Sequence, residues 1–306
     1  RAASSTRAAA GSGDTAVRAD TTLVNSGQIA GNGALALEAQ AAVNRAEGTI
    51  AAGGTLALQV HASLDNAGSI GSRGALHMDE AQAAIVNRGS IVADADVAIR
   101  AGTIDNDKGT LATATGAVAS MALQADSLTN RGGTIVAGRA LALDVAGALD
   151  NSHGTLQGVE TVRATAGGTL TNDGGVLEAT GAAATLTVQA NAIHNDGGRI
   201  VDVGIGAATV RATDSLMNSG LVAGNGSLAL DAGNLSNTAS GTIASGAAMT
   251  VAIGERMDNA GTVNSGATLD IAAHDAAVRN SGLVVAQGAL ALDSGAFNND
   301  GGQFAT

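Results

Sequence analysis

Asp94 and Asp96 stand two residues apart, and on an extended chain that places them about 7 Å from each other, a separation at which paired carboxylates can perform acid–base work. The pair reads far more readily as an outward, solvated face of one strand. Asp65, Asp105, Asp150 and Asp258 each directly precede an asparagine, but no two of them fall in consecutive repeats, so they build no carboxylate cluster. Asp105 and Asp107 are followed one repeat later by Arg131, a pattern of surface charge balance that contributes little stability. The histidines, His61, His77, His153, His194 and His274, occupy different points of the repeat and never occur as His-x-His or His-x-x-x-His, the spacings a metal site would use. Gly31-Asn32-Gly33 and Gly224-Asn225-Gly226 suggest a phosphate loop but lack the Gly-Lys-Ser/Thr ending and a helix to follow. No Gly-Gly-x-Gly-x-Asp array of a calcium-loaded β-roll is present. The sequence therefore predicts no catalytic, cofactor-binding or metal-binding residue, and no enzyme.

What must position any side chain here is a repeat. Fourteen times an apolar residue is followed two positions later by Asn and then by Gly: at Asn25, Asn44, Asn66, Asn87, Asn106, Asn130, Asn151, Asn172, Asn195, Asn218, Asn237, Asn259, Asn280 and Asn299, separated by 19 to 24 residues. Self-similarity at about 21 residues indicates a stacked solenoid. Between anchors the pattern alternates. Leu23, Asn25, Gly27, Ile29, Leu35, Leu37 and Ala39 share one parity, with Thr22, Ser26, Gln28, Glu38 and Gln40 on the other. Such two-residue periodicity is that of a strand and is incompatible with an amphipathic helix. Leu-x-Leu pairs such as Leu35 and Leu37, Leu141 and Leu143, and Leu228 and Leu230 share the asparagines' inward parity and read as core.

Six anchors read Asn-x-Gly and two Asn-x-x-x-Gly, which preserve phase, whereas Asn106, Asn130, Asn151, Asn172, Asn195 and Asn299 read Asn-x-x-Gly and shift it. The extra residue predicts a bulged corner, and the Gly-Gly pairs at four of these six suit positive φ. Stacking in register, about 4.8 Å per coil, predicts a parallel β-helix of about 65 Å for fourteen coils. The asparagine column would then form a structural ladder, sparing buried polar groups a cost of about 1 to 3 kcal/mol each.

Composition agrees. The core must come from Ala, Val, Leu and Ile, since the chain has two Phe, no Trp and no Tyr, and zero Pro suits strands that all donate to a neighbour. Without Cys there is no disulfide framework. A net charge of -12 with Lys108 as the single lysine excludes nucleic acid and anionic membranes as natural partners, and no apolar run is long enough to insert in a bilayer. Arg1 to Gly13 carry no signal-like stretch and read as a truncated coil. Anchors 25, 44, 66, 87 and 106 recur as 218, 237, 259, 280 and 299, each displaced by 193 residues, so a block of about nine coils is partly duplicated. Neither end looks capped, and residues 1–306 are expected to form a single β-helical domain cut from a longer rod.

The pattern Leu-x-Asn-x-Gly-x-Ile-x-Ala followed by Leu-x-Leu-x-Ala, clear at Asn218 to Gly224 and Leu228 to Ala232, resembles the repeats of the filamentous haemagglutinin family of two-partner-secreted bacterial exoproteins. The resemblance runs from Ala16 to Gly302. It implies an all-β, right-handed parallel β-helix serving as a shaft segment of a secreted or surface-exposed adhesin of a Gram-negative bacterium. It further implies export through an outer-membrane two-partner-secretion transporter, and a receptor on a host cell or a neighbouring bacterium. The same repeats build the stalks of contact-dependent growth inhibition toxins, which is the alternative. The family's Asn-Pro secretion motif has no counterpart in this Pro-free chain, and no toxin domain is visible. A β-helical polysaccharide lyase or hydrolase is the rival from another class. It would need clustered charge on one face and long irregular loops, whereas repeat lengths here differ by no more than five residues.

Overall fold

The computed structural model describes residues 13–114, 116 and 118–306, and these contain β-strands and turns but no α-helix. The stretch before Gly13, read above as a truncated coil, lies outside the described residues. Contacts divide the chain into two compact units, Arg1–Gly147 and Ala148–Thr306, and both are parallel β-solenoids, together making about 14 turns of roughly 21 residues.

In the first unit a short strand recurs once per coil, as Gln28–Gly31, Thr49–Ala52, Ser69–Ser72, Ser90–Ala93, Thr110–Thr113 and Thr134–Ala137, each parallel to its predecessor. Between them run longer strands that end at the anchors, such as Leu35–Asn44, Leu56–Asn66 and Leu76–Asn87. Residues one coil apart are direct partners, so like stacks on like: Ile29 on Ile50, Ile50 on Ile70, Ile70 on Ile91. All four isoleucines are buried, and each such side chain removed from water contributes about 1.5 to 3 kcal/mol. The second unit repeats the plan with short strands from Thr155–Gly158 to Leu283–Ala286 and longer ones such as Thr185–Asn195, Ala208–Asn218, Leu228–Asn237 and Met249–Asn259. Its inward column runs Leu156, Leu177, Ile200, Val222, Ile243, Val263 and Val284, all buried.

Small aliphatic residues suffice because each coil encloses one layer of side chains. The coil has three sides, since the longer strand bends midway: Leu35, Leu37 and Ala39 point inward before the bend, Ala42 and Asn44 after it. Parity therefore switches inside the strand as well as at the anchor corner. Pairing registers slip at this bend, between Ala39 and Ala41, Glu80 and Ala84, Ala212 and Ser215 and their equivalents, which is how coils of unequal length stay stacked.

One sequence expectation changes. Asp94 and Asp96 lie in the turn between Ser90–Ala93 and Val97–Asp105, not on one strand. Asp96 uses its Oδ1 to accept the Ser120 N–H of the following coil at 2.8 Å. Its work is to cap a turn.

Candidate functional site

The most organised polar array in the molecule is the asparagine column. In the first unit the side-chain Nδ2 of Asn25 donates to Oδ1 of Asn44 at 2.8 Å, and the chain of bonds continues Asn44 to Asn66 at 2.8 Å, Asn66 to Asn87, Asn87 to Asn106 and Asn106 to Asn130 at 2.7 Å. In the second, bonds of 2.7 to 2.9 Å link Asn151, Asn172, Asn195, Asn218, Asn237, Asn259, Asn280 and Asn299 in order. Every one from Asn25 to Asn280 is buried, and Asn299 is half-buried.

The same Nδ2 also donates to a main-chain carbonyl in the next coil: Asn25 to Thr49 O at 3.1 Å, Asn87 to Thr110 O at 2.9 Å, Asn172 to Arg199 O at 3.0 Å. Inside the ladder each Nδ2 thus faces acceptors on the next coil, and at most anchors the glycine carbonyl of its own corner as well, as from Asn44 to Gly48 O at 3.1 Å, while the oxygen accepts from the previous coil. Turning an amide around would set its oxygen against two acceptors, so all the dipoles are forced to point the same way. A column of aligned, fully bonded amides polarises itself. Its buried members spend their hydrogen bonds on holding coils together.

The corner after each asparagine explains the glycines. At Gly175 a Cβ would run into the backbone oxygen of Asn151 in the coil before, and would stand 2.7 Å from Asn172 Oδ1. The phase-shifting Asn-x-x-Gly corners all place a positive φ two residues after the anchor. Gly132, Gly174, Gly197 and Gly301 adopt it, at 60 to 78°, but so do Lys108 at 60° and His153 at 56°. Sequence reasoning saw the four glycines and passed over the two side chains bearing the same conformation at steric cost.

Charged residues pair across coils on the outer face. Arg88 spans Asp65 at 3.7 Å and Asp105 at 3.8 Å. Arg131 grips Asp107 with its Nε at 2.8 Å, a terminal nitrogen at 2.7 Å and its backbone N–H at 2.9 Å. Partial burial pushes the Asp107 carboxyl up, but the hydrogen bonds and charge of Arg131, with help from Thr129, hold it below its ordinary 3.8. Two histidines meet acids: His61 lies 3.0 Å from Glu80 and His274 2.8 Å from Asp293. His77 lines an open trough with Asp79, Arg100 and Asp144, where Asp79 is engaged by Arg100 at 3.4 Å. Among the described residues no group of three or more His, Asp or Glu is placed to hold a metal ion.

Among the described residues one charged side chain is inside. Asp202, the last residue of the strand Arg199–Asp202, is 0% exposed. Its Oδ1 accepts the Gly204 N–H at 2.9 Å, while Oδ2 and Thr165 Oγ1 are the buried side-chain atoms with no hydrogen-bond partner among the described residues. Burial raises its proton affinity and the Gly204 bond offsets only part of that. The signal that could have found it is columnar: its inward position is held by Ala179 one coil before and Gly224 one coil after, and by Ser245 and Ser265 further on.

Comparison with curated proteins and with solved structures gives no significant match. Comparison with protein families matches the haemagglutinin repeat seven times, over residues 2–46, 36–79, 76–125, 120–177, 178–222, 206–278 and 257–306. With coils, corners and asparagine column repeating through the described residues of those matches, the chain belongs to the filamentous haemagglutinin family.

Proposed function

We propose that this chain is a structural shaft segment of a large secreted or surface-exposed adhesin of a Gram-negative bacterium, exported through an outer-membrane two-partner-secretion transporter. The observation that carries the reading is the uninterrupted run of haemagglutinin repeats, in a family of structural and adhesive proteins that are typically secreted or surface-exposed. The inward polar column is spent on coil-to-coil bonding, and the outward Arg88 and Arg131 are occupied by Asp65, Asp105 and Asp107. A role in reach, projecting an adhesive or toxic module, uses the repeat without requiring any coil to differ from its neighbours.

The test is binding by the purified chain itself, applied to host cells and to competing bacteria, beside variants with Arg45, Arg88 and Arg131 changed to Ala. The shaft reading expects no saturable binding by any of them. Saturable binding lost in the arginine variants would replace it with a receptor-binding role for the outer face.

A further inference from the structure

Asp202 is the polar group that the ladder, the corners and the surface ion pairs leave unexplained. A carboxylate wholly out of water with one N–H partner is costly, and a group in that position ordinarily takes a proton instead. The surrounding column says what a proton would do. At the same place in later coils the Ser245 hydroxyl donates to Ala247 O at 2.8 Å, and the Ser265 hydroxyl has two carbonyls within reach of its one proton, Thr268 O at 2.8 Å and Ala247 O at 2.9 Å. In the first unit Ser72 donates likewise to Gly74 O at 2.8 Å. The three serines at the end of the short strand thus aim hydroxyls at turn carbonyls, while Thr113 at the same place accepts the Gly138 N–H at 2.7 Å, as Asp202 Oδ1 accepts that of Gly204. A carboxyl group can take the serines' donor role there only as the neutral acid, and among the described residues Asp202 Oδ2 has no N–H or O–H donor to hold it as a carboxylate.

The titratable side chains on the surrounding elements do not compensate its charge. Glu178 and Arg199 face each other on the outer side at 3.8 Å, and Arg211 is engaged by Asp231 at 3.3 Å. Asp214 is exposed and His194 half-buried on the outward parity of their strands. Burial raises the proton affinity of Asp202, and the Gly204 N–H lowers it.

We propose that Asp202 is a protonated, neutral acid in the folded coil, with the proton on Oδ2, and that it makes the solenoid of residues 148–306 an acid-strengthened structure whose stability falls when this carboxyl ionises. The sign follows from linkage. The folded coil holds the proton more tightly than the unfolded chain does, so the stabilisation is complete below the ordinary carboxyl range and is lost as pH rises toward the folded value. Across that window the folding equilibrium shifts by about tenfold per pH unit.

The experiment compares denaturant unfolding of the intact chain, Asp202→Asn and Asp202→Ser between pH 3 and pH 8, with carbon-13 detection of the Asp202 carboxyl in the native protein. The proposal expects the native carboxyl to titrate above the ordinary 3.8, and the wild type to lose stability relative to Asp202→Ser as pH rises. A native carboxyl that titrates at or below the ordinary value overturns it, even where Asp202→Asn fails to fold. So does a difference between wild type and Asp202→Ser that is independent of pH.

Discussion

At the scale of single residues, the anchor asparagines carry obligations in two directions. Changing Asn195 to Ala takes from the Nδ2 of Asn172 its acceptor at 2.9 Å, leaving it main-chain carbonyls alone, and deprives Asn218 Oδ1 of its donor at 2.8 Å. Each unsatisfied buried group costs about 1 to 3 kcal/mol, so Asn195→Ala is expected to destabilise the second unit by about 2 to 5 kcal/mol, measured by denaturant unfolding followed by circular dichroism. Lys108 makes the opposite case. Its φ of 60° is carried at the equivalent corner by glycine in four other coils, and Lys108→Gly is expected to raise stability by up to about 1 kcal/mol by relieving the left-handed conformation. A loss of stability would show that the lysine side chain makes a compensating contact. Asp107 differs from Asp202 in sign. Arg131 lowers its pKa, so its contribution is present above the ordinary 3.8 and is lost as pH falls through the folded value. Because Arg131 is more than half exposed, the stability difference from Asp107→Asn is expected to be below about 1 kcal/mol at pH 7, and to vanish on acidification.

At the scale of elements, a coil is stabilised by what it stacks on. Leu143 is 1% exposed and pairs with Leu123 one coil earlier. Leu143→Asp buries an unpaired charge between coils, and hydrogen exchange is expected to rise first in strands Met121–Ala125 and Ala140–Val145, leaving Leu35–Asn44 protected. Uniform loss of protection throughout the first unit would contradict nearest-neighbour coupling. The strands were legible in the sequence because alternation over five to ten residues has no other physical reading, and the corners because glycine and asparagine recur at them. The midway bend was hidden. Around Ala41 and Ala42 the residues are small enough to face either way, so a parity switch leaves no trace in the pattern. Asp94 and Asp96 misled for a related reason, since alternate acids look the same in a turn and on a strand. Asp202 was invisible to any search for clusters, because its peculiarity is to be alone among small residues in a column that only alignment of the coils exposes.

At the scale of the whole molecule, composition and repetition act together. A chain of 306 residues with two Phe, no Trp, no Tyr and no Pro gives up the bulky anchors of a globular core and relies on many identical thin layers. The anchor pattern recurs at an offset of 193 residues, a regularity that suits a part whose proposed contribution is length. The central claim, that successive repeats are successive coils in register, is tested most directly by spin-label distances in the second unit. The native chain has no Cys to interfere. One label goes at Asn298 and the other in turn at Asp258, Met217 and Thr171, which lie in the same outward column two, four and six coils away. At about 4.8 Å per coil the distances should rise in equal steps of about 10 Å, to about 10, 19 and 29 Å. Separations that fail to grow with coil number would contradict the stacked solenoid, and with it the shaft.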